Sequence, residues 1–445
     1  MATKSFKWLA LLGGVVIGAA SLAHAQDSGP LIDALVKKGV LNDQEAEEIR
    51  ADLIKDFGTS SAGKINLSSA LTELKISGDA RVRYEYRTGQ NGAVAPATST
   101  SNQQELNRYR YRLRLAIAGK FHDGWFFGTR LETGNSNRST NVTAGDSGTA
   151  FGKNASDGIT LGQAYMGRVV DDFTFTAGRM PNPLVTTSMV WDDDINPEAL
   201  SEQWSHDAGK VTWMANLAQM LYQSPGGGGT NPIGTGPSTE NQYLLAFQAG
   251  GKVKVSEGVT VQAMPTYYKY TGNDTTATVL TTPNSNNLRT IGLSVIEVPV
   301  EVGFKVGALP AKVFGDFAYN TDADTRAQAA GKPGFGNEDI GYQIGFGLGQ
   351  AKVKGDWEGK VFWQSVDAYA VDSNLVDSDL FDSRTNMEGV VLQYTYVLTD
   401  GVNVKFTYAN ADRKNDNLPT YGAGDISTAS LTHYQLFQAD LNVKF

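Results

Sequence analysis

Arginine recurs at alternating positions in two stretches of the sequence. The two sets comprise Arg81, Arg83, Arg87, Arg108, Arg110, Arg112 and Arg114. A β-strand points alternate side chains to one face, so each stretch would place its guanidinium groups in one row. Two rows on neighbouring strands would form a basic wall that concentrates anions and orients dipolar solutes. The alternative is that acidic residues on adjacent strands pair with these arginines and leave no role in selectivity.

A second charged group follows an apolar stretch within residues 181–198. Trp191 is followed directly by Asp192, Asp193 and Asp194. An apolar loop is best accommodated when it folds inward and packs on a wall, where it narrows the space beside it. The three carboxylates would then face the basic wall and create a transverse field that selects polar solutes by size and charge. The alternatives are an acidic surface cluster and a weak Ca²⁺ site.

Residues that support catalysis are scarce in this chain. It contains no Cys and only four histidines, His24, His122, His206 and His433. The sequence has no Gly-x-Ser-x-Gly, Walker or His-Glu-x-x-His motif. A hydrolase would need a Ser or Asp beside a strand histidine, for which His433 is the candidate. We therefore predict no enzyme, no cofactor and no metal site.

Alternation with a period of two is the main signal from Leu74 to the C-terminus. In residues 75–87 the even positions are apolar, small or aromatic, whereas the odd positions are mostly charged. The same pattern recurs at residues 107–121, 298–306, 340–348, 357–363, 390–398, 402–408 and 437–445. An arginine facing lipid at mid-bilayer would cost ~2–4 kcal/mol, which sets the polar face inward.

The connections between these strands also alternate, between short turns and long polar loops. The long stretches are residues 88–105, 134–157, 181–198, 222–241, 271–287, 322–337, 370–386 and 410–430. Eight long loops on one rim require sixteen strands and seven short turns, with fourteen and eighteen strands as alternatives. This parity predicts a weak strand at residues 199–206 and a turn at residues 207–209. A soluble propeller is disfavoured because no repeat of about 40–50 residues occurs, and a soluble sandwich is disfavoured because it rarely needs this many long strands.

Composition agrees with a transmembrane antiparallel β-barrel. The mean hydropathy is −0.28, which is low for a membrane protein, but alternating strands average apolar and polar residues. Lys and Arg total 38 and Asp and Glu total 47, a formal charge of −9 that argues against nucleic-acid binding. Tyrosines near strand ends suit membrane-interface girdles. They are Tyr84, Tyr86, Tyr109, Tyr267, Tyr268, Tyr394 and Tyr396.

The N-terminal residues indicate export. Lys4 and Lys7 precede the apolar residues 8–20, and Ala23-His24-Ala25 is a cleavage signature, so residues 1–25 are predicted to be a signal peptide. Residues 26–70 form a predicted periplasmic helical segment and linker, in which Asn42 and Glu45 make a capping box. Its role is open between a simple helical hairpin and a self-association or cell-wall contact. Residues 71–445 are the predicted barrel.

The chain resembles the bacterial putative-porin family, which is related in style to general and phosphate-selective outer-membrane porins. The resemblance is carried by Leu41–Glu47, Leu74–Arg83, Val190–Glu198, Gly349–Glu358, Asn374–Ser383 and the last strand. It implies a passive, trimeric diffusion channel. The terminal Phe445 resembles the assembly signal read by the outer-membrane insertion machinery. Phosphate-selective relatives have a basic constriction, and Asp192–Asp194 depart from that pattern.

We therefore predict a porin in the outer membrane of a Gram-negative bacterium. Its predicted partners are outer-membrane lipid, small hydrophilic solutes or ions, the insertion machinery and two further copies of the chain. The alternatives are a barrel that tethers the envelope or mediates adhesion without significant transport, and a barrel hydrolase.

Overall fold

The computed structural model describes most of the chain in two compact units, Met1–Ser68 and Ser69–Phe445. The described residues are 29–38, 40–42, 44–51, 67–91, 103–134, 136, 138–146, 158–224, 241–271, 290–422, 424–426 and 430–445. The predicted signal peptide lies outside them. Among the described residues, no helix is long and apolar enough to cross a membrane.

The described part of the first unit contains two short helices, as the sequence predicts. One is α1 (Gly29–Lys37), and the other covers residues 44–51. The capping box is present, because the Asn42 N–H donates to Glu45 Oε2 (2.9 Å) and the Glu45 N–H donates to Asn42 Oδ1 (2.8 Å). Each side chain thereby satisfies a backbone donor that the helix start leaves unpaired.

The second unit is a closed antiparallel sheet that has sixteen strands within the described residues. The strands are β1 (Leu71–Asn91), β2 (Gln103–Phe121), β3 (Trp125–Thr133), β4 (Ile159–Val170), β5 (Phe173–Arg179), β6 (Glu198–Asp207), β7 (Val211–Gln223), β8 (Gln242–Ser256), β9 (Val259–Ala263 with Thr266–Thr271), β10 (Ser294–Glu297 with Val300–Val306), β11 (Leu309–Asn320), β12 (Ile340–Gly349), β13 (Trp357–Val366), β14 (Met387–Thr399), β15 (Val402–Arg413) and β16 (Leu431–Lys444). A two-residue ladder, Val142–Thr143, adds to the edge of β2 beyond β3. The predicted barrel and its strand count are confirmed.

The barrel closes where β1 pairs with β16 as well as with β2. Across these pairs Arg83 lies opposite Asp440 on one side and Arg110 on the other. The closure extends to the last residue, because the Gly78 N–H donates to the Phe445 carbonyl (2.8 Å) and the Phe445 N–H donates to the Gly78 carbonyl (3.1 Å). Closure leaves no edge strand with unpaired backbone groups, as lipid requires.

The strand that parity alone predicted at residues 199–206 is present as β6. It pairs with β5 and β7, and a short turn at residues 208–210 follows it. Seven short turns and eight long connections therefore alternate around the barrel. The short turns vary in length: the β10–β11 turn is residues 307–308, and the β12–β13 turn is the longer stretch 350–356.

The two faces of the sheet have opposite chemistry. Apolar side chains such as Val82 and Ile344 are 58% and 59% exposed on the outside, whereas Arg83 is 3% exposed on the inside. Tyr268 corrects one prediction, since it is buried on the inner face while its neighbour Tyr267 is exposed. Successive residues of a strand point to opposite faces, so the two tyrosines cannot both lie in a lipid-facing girdle.

Prolines interrupt β9 and β10 at the same level of the wall. Pro265 and Pro299 lack the backbone N–H that a ladder needs, and their carbonyls accept from Ala249 and Met264 (each 3.1 Å). The interruption lies beside Glu297, where an inward loop contacts the wall.

Candidate functional site

The connection between β5 and β6, residues 180–197, is named loop 3, and it folds into the barrel. Met189, Val190 and Trp191 are almost fully buried in one apolar cluster with wall residues of β7, β8 and β9. Polar contacts fix its first half to the wall. The Val185 N–H donates to Gln248 Oε1 (3.0 Å) and the Thr186 hydroxyl donates to Glu297 Oε1 (2.6 Å). Loop 3 is thus packed on the inner wall between β8 and β10.

The three predicted aspartates of loop 3 have different surroundings. Asp192 is buried, and its carboxylate accepts from the backbone N–H groups of Asp194 (2.9 Å) and Ser378 (2.8 Å). Asp193 is exposed inside the lumen. Asp194 lies 3.4 Å from Arg114 and 3.8 Å from Arg112. Only Asp194 therefore contacts the arginine wall directly, while Asp192 holds another loop.

That other loop, which sequence reasoning did not assign to the site, is the connection between β13 and β14, residues 367–386, named loop 7. Its Leu375 carbonyl accepts from the Asp192 N–H (2.6 Å), and its Asp377 N–H donates to the Ser188 carbonyl (3.1 Å). A guanidinium nitrogen of Arg138 also donates to the Val376 carbonyl (2.8 Å). Loop 7 has the same signal that singled out loop 3, apolar residues followed by aspartates, within Asn374–Ser383.

The seven predicted arginines all face the lumen, and each has acidic partners among the described residues. Three carboxylates come from the wall and four from inward loops. They are Asp79, Glu85 and Asp440 on β1 and β16, and Asp194, Asp379, Asp382 and Asp425 on the loops. The structure therefore shows the charge pairing that the sequence left open, while the role of these arginines in selectivity stays a prediction.

Arg83 and Arg87 connect the wall to loop 7. Arg83 makes a bidentate pair with Asp440 (2.7 and 2.9 Å), and its third nitrogen lies 2.6 Å from Asp379. Arg87 pairs with the same Asp379 (2.9 Å) and with Glu85 (3.0 Å). Bidentate charge-assisted contacts of this kind fix geometry as well as charge.

Arg108 extends this network to loop 8, the connection between β15 and β16 at residues 414–430. It pairs with Glu85 on β1 and with Asp425 on loop 8. Loop 8 also packs against loop 7 and loop 6 (residues 321–339), where the Tyr369 and Tyr421 hydroxyls lie 3.1 Å apart. Loops 3, 6, 7 and 8 thus form one continuous set of contacts inside the mouth of the barrel.

The junction of loops 3 and 7 perturbs its carboxyl groups. Burial, with repulsion from Asp377 and Asp194, raises the pKa of Asp192 to about 8. Burial and the nearby Asp379 raise the pKa of Asp377 to about 6. The pKa of Asp379 is lowered despite its burial, because Arg83 and Arg87 stabilise the carboxylate. The junction therefore holds its charge unevenly, with a firmly ionised Asp379 beside carboxyls that resist ionisation.

A cavity of about 420 Å³ remains between these loops and the wall. Lys312, Lys360 and Lys405 line its wall side, on β11, β13 and β15. Asp193 and Asp377 line its loop side. Opposite charges on opposite sides of a small water-filled space create a field across it.

The other residues considered in the sequence are placed as follows. His433 Nδ1 lies 2.7 Å from Asp412 Oδ1 on the adjacent strand, which gives this histidine a carboxylate partner. Within the described residues no group of three or more His, Asp or Glu side chains is arranged to hold a metal ion. The Phe445 ring is exposed on the outer face and covers Gly78.

A closed antiparallel barrel with an apolar outer face, a charged interior and inward loops defines a porin-like channel of the bacterial outer membrane, a class of proteins without enzymatic activity. Residues 80–291 match the family model described as "Putative porin". Over these residues the resemblance to the putative-porin family seen in the sequence is confirmed.

Solved structures of bacterial porins align with the chain at low identity. An anion-selective porin from Comamonas acidovorans is 11% identical, with a TM-score of 0.46, over 84% of this chain and 99% of that chain. A double mutant of the Rh. blastica porin is 9% identical, with a TM-score of 0.41, over 84% and 100% of the two chains. No curated protein sequence matches the chain.

Proposed function

We propose that the barrel is a passive diffusion channel for small hydrophilic solutes and ions, and that it works as a homotrimer. Loops 3 and 7 together form its constriction. The observation that carries the proposal is the cavity between these loops and the wall, which is lined by both lysines and aspartates. A mixed lining of this kind suits water and small polar solutes rather than one tightly held ligand.

The direct test is conductance of the purified, folded protein in a planar lipid bilayer. We expect stable steps whose current is proportional to voltage, and three closely coupled conductance levels for a trimer. Heat-modifiable mobility on a gel establishes that the barrel is folded before the measurement. A folded barrel that gives no conductance would overturn the proposal in favour of a tethering or adhesion role.

Selectivity follows from the charges that face the constriction. Replacing Arg112 and Arg114 by Gln removes two cations beside Asp194 and should shift the reversal potential in a salt gradient toward cations. Asp193→Asn removes a lumen-exposed carboxylate and should shift it toward anions. If both variants keep the wild-type reversal potential, this wall and loop do not control permeation.

A further inference from the structure

The lysines that line the lumen cavity differ in their pairing. Lys312 Nζ lies 2.8 Å from Glu301, and Lys360 Nζ lies 2.9 Å from Glu358. The Lys405 ammonium, by contrast, makes no hydrogen bond or ion pair with the described residues, although this side chain lines the same cavity. It is half-buried on β15. An ammonium group in such a position retains donors for an anionic group that enters the cavity.

Carboxylates face this ammonium from the opposite side. Partial desolvation, with repulsion from Asp194, raises the pKa of Asp193, and attraction by Lys405 and Lys360 opposes that shift. Asp193 on loop 3 and the wall lysines therefore act on each other across the space. Asp377 of loop 7 lies beside Asp193 on the cavity lining. A solute in the cavity has an anionic side and a cationic side within its reach.

The cavity also has an apolar part next to the lysines. Phe314 and Phe362 pack edge to face with ring centroids 6.1 Å apart, and Leu380 of loop 7 lies beside them on the lining. The Lys312 ammonium lies 5.7 Å from the Phe314 ring centroid, a distance at which a cation is attracted by an aromatic face. A small hydrocarbon group would lie on this apolar surface without displacing water from a polar group of the pore.

We propose that this cavity is a binding site for apolar α-amino acids. The solute carboxylate would contact Lys405 and Lys360, its ammonium group would contact Asp193 and Asp377, and its side chain would lie on Phe314, Phe362 and Leu380. A simple carboxylate of the same size would meet the two aspartates with a like charge. A simple amine would meet the lysines in the same way, so only the zwitterion satisfies both sides. The inference rests on the proposed channel function and names the solute class of that channel.

Three probes with one hydrocarbon skeleton test this assignment by titration of the single-channel current. They are leucine, 4-methylpentanoate, which lacks the amino group, and 3-methylbutylamine, which lacks the carboxylate. We expect leucine to reduce the current with a half-saturating concentration about tenfold below that of either analogue, as the loss of one charged hydrogen bond implies. Equal half-saturation for the three probes, or tighter binding of an analogue, would overturn the proposal.

Lys405→Gln removes the unpaired ammonium, and Asp193→Asn removes the facing carboxylate on an exposed loop position. Each should abolish the preference for leucine over the two analogues. The matched control is Lys305→Gln, which removes the same charge at the exposed end of β10 and should keep the preference. Leucine binding that persists in both test variants would contradict the site. If the folded wild-type protein gives no conductance, the channel function itself is contradicted, whatever the outcome for leucine.

Discussion

At the scale of single residues, Arg83 shows that the basic wall and the inward loops depend on each other. This residue is 3% exposed, and its guanidinium pairs with two carboxylates, Asp440 on the wall and Asp379 on loop 7. Arg110 lies opposite it on β2. Like charges in such positions destabilise a sheet, and the intervening carboxylates offset this repulsion. The sheet therefore tolerates the row of arginines because carboxylates from the wall and from the loops pair with them.

Arg83→Gln should lower the free energy of unfolding by roughly 3 kcal/mol, because it leaves the buried Asp440 without its bidentate partner and removes one of the two arginines that pair with Asp379. Urea titration of the folded barrel in lipid vesicles, followed by heat-modifiable mobility, measures the change. The control is Lys120→Gln, which breaks an exposed pair with Glu73 (2.6 Å) and should cost at most about 1 kcal/mol. Equal destabilisation by the two variants would show that the Arg83 network does not hold the structure together.

At the scale of elements, the junction of loops 3 and 7 depends on the protonation of Asp192. Folding raises the pKa of this carboxyl from 3.8 to about 8. The folded junction therefore binds a proton more tightly than the open loops do, and its stability falls as pH rises between those values. This contribution to the stability of the junction is complete below pH 3.8 and is lost once the pH passes about 8. The firmly ionised Asp379 beside the junction does not titrate in this range.

Amide hydrogen exchange of loop 3 measures this effect, after correction for the intrinsic pH dependence of exchange. We expect less protection at about pH 9 than at about pH 5. Asp192→Asn keeps an oxygen that can accept from Asp194 or Ser378 but carries no charge, so the pH dependence of protection should shrink, and the part that remains should come from Asp377. Asp123→Asn, in the exposed turn after β2, makes the same change of charge and should leave loop 3 unaffected. A wild-type loop whose protection does not vary with pH would contradict the role of Asp192.

At the scale of the whole molecule, most of the fold could be predicted from the sequence, because lipid requires a strict alternation of faces. Counting loops even located β6, whose own pattern is weak. The interior could not be predicted as well. Loop 7 carries the same apolar and acidic signal as loop 3, but only three-dimensional contacts, such as Asp192 with Ser378, show that both fold inward. Pairing of the arginines with acids far away in sequence, such as Arg83 with Asp379, has no local signature.

The role of loop 7 in the whole channel can be tested by shortening it. Replacing Asn374–Ser383 with a short Gly-Ser linker removes the segment that packs against loop 3 and carries Asp377, Asp379 and Asp382. We expect the single-channel conductance to rise, because the lumen beside loop 3 is no longer filled. The reversal potential should shift toward anions at the same time, since Arg83 and Arg87 lose carboxylates that neutralise them.

The matched control shortens the exposed β12–β13 turn, by removing residues 352–354, and should leave both measurements unchanged. The two readouts distinguish the two roles of loop 7. A rise in conductance without a shift in selectivity would mean that loop 7 obstructs the lumen but that its carboxylates do not set the field. If neither quantity changes in a folded barrel, loop 3 and the wall alone limit permeation, and loop 7 is not part of the constriction.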